Sequence, residues 1–284
     1  MSRLVPILCA ACLVGIGLTA WSQLSAGNTT VVIPKGGPAP KKAAATETAE
    51  QLRKARMACS VAALDRCIEA FQAQVAAKPD KAVWHHLAEA YLERALTRTH
   101  LRGMAPGEPT FEELPTDFAG DLKAGLEAVA KARELGDETG ELFRIEAGLM
   151  SQHITGWQSA LAWNGKIGEA LEVAHQRIAN DPQLHTALGL RKLFAPKWLG
   201  NDPEKALEHF EFADKADGDE RPAVFAAMAN YLQSKRQKAI AWLERAVEKN
   251  PDNKFARVVL GRVRRGEDNP FGRNVTEGEV AAGK

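Results

Sequence analysis

Tyrosine is nearly missing from this chain: 2 of 284 residues, beside 10 phenylalanines and 6 tryptophans. So small a stock of β-favouring aromatics among many Ala, Leu and Glu argues against an all-β protein. An excess of charge of one sign is missing as well. Lys and Arg number 37 against 36 Asp and Glu, a net charge of +1. A dedicated nucleic-acid binder needs a basic excess to neutralise phosphates, so that class is excluded. A wholly disordered chain needs more net charge and fewer apolar residues than the 45% found here. Catalytic signatures are absent too: there is no G-x4-G-K-[ST], no G-x-G-x-x-G after a strand and no G-x-S-x-G. The 7 histidines are scattered. His85 and His86 adjoin and Glu89 follows, but adjacent helical residues point about 100° apart and no H-x3-H pair accompanies them. Neither a metal site nor a cofactor is expected, and the chain does not read as an enzyme.

What is present begins with an apolar run. Leu4 to Trp21 is 18 residues without a charge, preceded by Arg3. A positive start followed by such a run is what export machinery reads. Residues 1–26 are therefore a signal peptide, cut after Ser22 or Ala26, or an uncleaved anchor; a lipid-modified Cys12 is the third form. At about 1.5 Å per residue the run is just long enough to span a hydrocarbon core about 30 Å thick. Each form places the body outside the cytoplasm, membrane-anchored or released after cleavage. Residues 27–46, rich in Pro, Gly, Ala and Lys with no apolar period, read as a flexible linker.

From Glu47 onward, apolar residues recur at i, i+3 and i+4, with Pro and Gly between the periodic stretches, so the body is all-α. It also repeats. Ala239, Leu243, Ala246 and Pro251 stand at offsets 0, 4, 7 and 12. Ala206, Phe210 and Ala213 copy the first three of these offsets, while Cys67, Phe71 and Pro79 copy three of the four; residues 170–182 are a fourth copy and 124–137 a looser fifth. A small residue lets a partner helix approach, a large one four positions on fills the gap, and Pro ends the helix. The other helix of a pair shows in Trp84, Leu87, Ala88 and Tyr91, which match W-x2-L-G-x2-Y with Ala for Gly.

These residues resemble the tetratricopeptide-repeat (TPR) family, whose helix pairs stack side by side. The resemblance implies an irregular TPR-like helical-hairpin solenoid of about five hairpins over residues 47–265. The second helices start at 67, 124, 170, 206 and 239, giving intervals of 57, 46, 36 and 33, where the family repeats every ~34 residues. An insertion at 97–121, with Pro106, Pro109 and Pro115, accounts for the longest interval. GNDPEKALEHFEFADKA after APKWLG is also similar to the TPR-like periplasmic component associated with TRAP transporters, over one hairpin. In residues 254–265, Phe255, Val258, Val259 and Val263 share a face, as in a capping helix, and residues 266–284 read as an extended or disordered tail whose Pro270-Phe271 could dock on the protein.

The TPR resemblance implies a function as well: a non-catalytic protein-interaction scaffold of the cell envelope, holding a protein or peptide in a concave groove. A ligand-binding accessory of an envelope transport system is the alternative, with Trp157, Trp163 and Trp198 as candidate walls of a cleft. In the family, groove residues stand one and five positions after the Trp-like position. Carried onto Trp84 this selects His85 and Glu89, with Glu93 a turn beyond. Carried onto Phe225 it selects Ala226 and Asn230, with Gln233 near, and Leu142 adds Phe143. Their mixed polarity suits an extended peptide. Finally, Cys59 and Cys67 read as the facing ends of one hairpin, turning near Val61–Ala63, where an oxidising compartment would let them form a disulfide; buried free thiols are the other reading.

Overall fold

A computed structural model of the chain describes residues 42–102, 116–216, 218–273 and 275–282. The proposed signal or anchor segment, 1–26, lies outside them, as does the linker up to residue 41. Helix α1 (Lys42–Met57) takes in the last five residues of the stretch read as linker, where the alanines at 43–45 supply helix propensity.

Five hairpins follow in order: α1 with α2 (Val61–Ala77), α3 (Lys81–Arg102) with α4 (Thr116–Glu134), α5 (Gly140–Ser151) with α6 (Trp157–Ile178), α7 (Pro182–Phe194) with α8 (Pro203–Asp214), and α9 (Arg221–Leu232) with α10 (Arg236–Lys249). Helix α11 (Lys254–Arg265) and a short α12 (Glu277–Ala282) complete the order, and no strand occurs among the described residues. The odd-numbered helices α1 to α9 touch one another in series, each also packing on its own even-numbered partner. Of the expected insertion 97–121, residues up to 102 continue α3 and those from 116 begin α4. Residues 103–115 lie outside the described residues.

Local chemistry starts the helices where the sequence says it should. Asp181 and Asp202 each precede a proline at the first helical position and accept from the backbone N–H three residues on, at 2.7 and 3.0 Å. Asn253 does the same for α11, accepting from Ala256 N at 2.9 Å. The repeated offsets are core positions. Ala206, Phe210, Ala213, Ala239, Leu243 and Ala246 are all fully buried, and so is Phe71. Gly189 on α7 shows how close the helices come: a Cβ there would lie 2.5 Å from the Phe210 ring.

Two expectations are corrected here. The Cys59–Cys67 disulfide is not formed; both are free thiols. The turn is tighter and earlier than expected, because Ser60 caps α2 and its Oγ accepts from Ala63 N at 3.3 Å. Cys67 therefore stands six residues into α2, about 9 Å up its axis, facing the core beside Leu64 and Phe71. Cys59 stays in the turn, in the left-handed region at φ 46°, and a disulfide needs Cα atoms within about 7 Å.

The tail is corrected in part: residues 266–273 are irregular but fastened, and Glu277–Ala282 form a helix. Arg262, buried on α11, donates to the Pro270 and Arg273 carbonyls, at 3.0 Å each, and to both oxygens of Glu279 at 2.7 Å. Phe271 is buried against Tyr231, with ring centroids 5.6 Å apart.

Candidate protein-interaction surface

The residues expected to line the groove stand on α3, α5 and α9, with Gln233 just past the end of α9, and most are already engaged. His85 on α3 contacts Asp137 through Nδ1, 2.9 Å from Oδ2, and Asp137 Oδ1 accepts from Thr139 N and Oγ1 at 3.0 and 2.7 Å. Glu89, one turn on, lies 3.6 Å from His86 Nδ1. Burial by itself would raise the Glu89 carboxyl, yet His86 beside it and the charges of Arg144 and His85 outweigh burial and bring it down to about 2. Its ordinary value is 4.5. Because the folded value is depressed, the stabilisation is complete above pH 4.5 and is lost as pH falls through about 2. Glu89→Gln is therefore expected to flatten the acid side of the stability curve between those two values. Urea denaturation at a series of pH values checks this, and an unchanged acid slope would refute it.

Glu93 and Asn230 are corrections. Glu93 is buried, and both of its carboxylate oxygens accept from Arg221 Nη1, at 3.1 and 2.9 Å. Asn230 is fully buried inside α9, where every residue from Pro222 to Asn230 is covered. Its Nδ2 donates to the Ala226 carbonyl at 2.9 Å. An Ala-rich helix admits neighbours close on all its faces, so no groove-facing side is left there. Gln233 remains half-buried; its Nε2 donates to the Ala229 carbonyl at 3.2 Å and its Oε1 accepts from Lys235 Nζ at 2.6 Å. Phe143 points between the even-numbered helices instead, under the guanidinium carbons of Arg133 at 4.2 Å and Arg177 at 5.1 Å.

One surface that stays open is not located by residue spacing. Between α4, α5 and α6 a groove of about 650 Å³ is floored by Leu126, Val129, Ala130 and Met150. Trp163 forms one wall, with Arg133, Glu146 and Lys166 at the rim. Two contacts fix Trp163: its ring stacks on His153 at 4.8 Å and 17°, and Lys166 Nζ lies 5.2 Å from the ring centre. Burial pushes the His153 imidazole below its usual value, favouring the neutral ring for stacking. Glu146 holds Arg133 through a bidentate pair at 3.0 and 2.5 Å. Trp198, on the short 3-10 turn Lys197–Leu199, stands 61% exposed and walls no pocket with Trp163. The one signal for the groove in the sequence is Trp163 itself.

Among the described residues, no group of three His, Cys, Asp or Glu side chains is placed to hold a metal ion. Nor is any helix there long and apolar enough to cross a membrane.

No protein-family model and no curated protein sequence matches the chain. Solved structures do. One is TTC0263, a thermophilic TPR protein in Thermus thermophilus, with a TM-score of 0.57 at 13% identity, over 78% of this chain and 100% of that one. Another is the APC/C hetero-tetramer Cut9–Hcn1, with a TM-score of 0.51 at 14% identity, over 78% of this chain but 37% of the other. With the buried offsets of α8 and α10 and the serial packing of the odd-numbered helices, these likenesses show that the chain has the tetratricopeptide-repeat fold.

Proposed function

We propose that this protein is a non-catalytic interaction scaffold of the cell envelope that captures a protein or peptide partner. The observation that carries the reading is the open groove around Trp163 on a stack of helical hairpins. It combines an apolar floor, an aromatic wall held in place and a charged rim, the arrangement in which buried aromatic anchors supply most of the binding energy. The groove suits a segment with one apolar face, such as an amphipathic helix laid between α4 and α6.

The envelope setting rests on the uncharged run Leu4–Trp21 behind Arg3. A C-terminal reporter that works only in the cytoplasm should be silent on this chain, and strong reporter activity would overturn the placement. The scaffold reading is tested by capture from detergent-solubilised membranes. Trp163→Ala should weaken capture by about thirtyfold, the loss of a ~2 kcal/mol anchor, while the helical circular-dichroism signal is kept. Full capture by a folded Trp163→Ala protein would move the partner off this groove.

A further inference from the structure

The turn that leads into α9 joins elements that a simple stack of hairpins keeps apart. The turn between α8 and α9 reaches α1 and α3 across separations of 128 to 163 residues. Arg56, in the last turn of α1, donates through Nη2 to the Gly218 carbonyl at 2.9 Å and through Nη1 to Asp219 Oδ1 at 3.1 Å. Arg221 donates through Nη1 to both oxygens of Glu93 on α3, and through Nε and Nη2 to the two oxygens of Asp219, each at 3.2 Å. All four side chains are at most 15% exposed. Beside them, Asn250 Nδ2 donates to the Met57 carbonyl at 2.8 Å. Gly218 sits at φ 86°, which lets the turn present its carbonyl and the Asp219 carboxylate to one cation.

The inner face of the first two hairpins thus offers one cation, Arg56, and one anion, Glu93, and what lies on them is a short segment reading acid, any residue, arginine. This is the geometry of a bound peptide supplied from within the chain. We propose that the surface between Arg56 and Glu93 is a second binding site, for a protein segment that presents an acidic residue two positions before an arginine, and that residues 218–221 of the chain occupy it as an internal competitor. Charge complementarity sets the partner. Glu93 left buried without a guanidinium, or Arg56 without a carboxylate, is strongly disfavoured, so an occupant must bring both charges in this order. Arginine fits better than lysine because its fork serves both acids at once, Nη1 on Glu93 and Nε with Nη2 on the acid of the same segment. The tether holds the internal segment at a high effective concentration, so an outside segment enters only when the turn is displaced or weakened.

The test uses a fluorescein-labelled peptide carrying the sequence Gly-Asp-Glu-Arg-Pro of residues 218–222, titrated by anisotropy against the full chain in detergent. Wild type should bind it weakly. Asp219→Asn with Arg221→Gln disarms the internal turn and should bind it at least about tenfold more tightly. Adding Arg56→Gln and Glu93→Gln should abolish that gain, and a peptide with Asp and Arg exchanged should not bind. If the disarmed protein loses its helical signal, Arg221→Lys, which keeps the charge but not the fork, takes its place with the same ordering expected. A folded disarmed or Arg221→Lys protein that binds no more tightly than wild type overturns the proposal. So does binding that survives the loss of Arg56 and Glu93. Neither outcome bears on capture at the Trp163 groove, which is measured with a different variant and a different probe.

Discussion

Arg221→Ala should destabilise the protein by about 3–5 kcal/mol, the cost of leaving buried carboxylates without their cation. Glu93 would lose its bidentate partner and Asp219 one of its two guanidiniums. Burial alone would raise the Asp219 carboxyl, but the charges of Arg221 and Arg56 outweigh it and hold it well below the usual carboxylate range. A depressed folded value means that this stabilisation is complete above the ordinary carboxylate range and is lost as pH falls through the folded value. The gap between wild type and variant should therefore be widest near neutral pH. It should narrow in acid, where Asp219 of the variant, left with Arg56 alone, takes up a proton more readily than in wild type. Urea unfolding at neutral and acid pH measures both effects. A loss below about 1 kcal/mol at neutral pH would mean that the cluster is hydrated and contributes no more than a surface pair.

Phe210→Ala is expected to cost about 3–5 kcal/mol, since the ring is fully buried, 5.6 Å from the Phe225 centroid, and fills the gap that Gly189 leaves. Gly189→Ala should cost about 1–3 kcal/mol from the other direction, because its Cβ would stand 2.5–2.9 Å from three atoms of that ring. The two changes touch the same space, so their costs should not add. In the double variant the new methyl group enters the cavity left by the ring, and the total falls short of the sum. Additive losses in denaturant titrations would show that α7 and α8 do not meet through this pair.

That pair also shows how far a sequence carries the fold. The offsets at 206, 210 and 213 and at 239, 243 and 246 are a local pattern, written within one helix, and each of those positions is core. Helix pairing, the number of hairpins and the capping role of α11 follow from such patterns. Contacts between distant repeats leave no periodic trace. Nothing near Glu93 in the chain announces that Arg221, 128 residues away, will cover it. Nothing in the family spacing shows that α9 is buried on every face, so that spacing assigns Asn230 to a surface that does not exist. The disulfide fails for a smaller reason: with Ser60 as its cap, α2 starts at Val61, so Cys67 stands six residues into the helix and not in its first turn. Arg262 gives no signal because one arginine among several at the end of a helix looks solvated, whereas its partners, Pro270, Arg273 and Glu279, come from the tail it fastens.

The fastened tail bears on how long such an assembly can grow. A stack of hairpins is open-ended in principle, because its last helix offers an unpaired apolar side on which another hairpin, or another molecule, can add. Here Phe271 is already inserted and α12 lies against α11, tied to Arg262 through Glu279. The α11 side of the stack is therefore closed by its own chemistry. End-to-end polymerisation through it would first require the Arg262–Glu279 pair to break and Phe271 to leave the core.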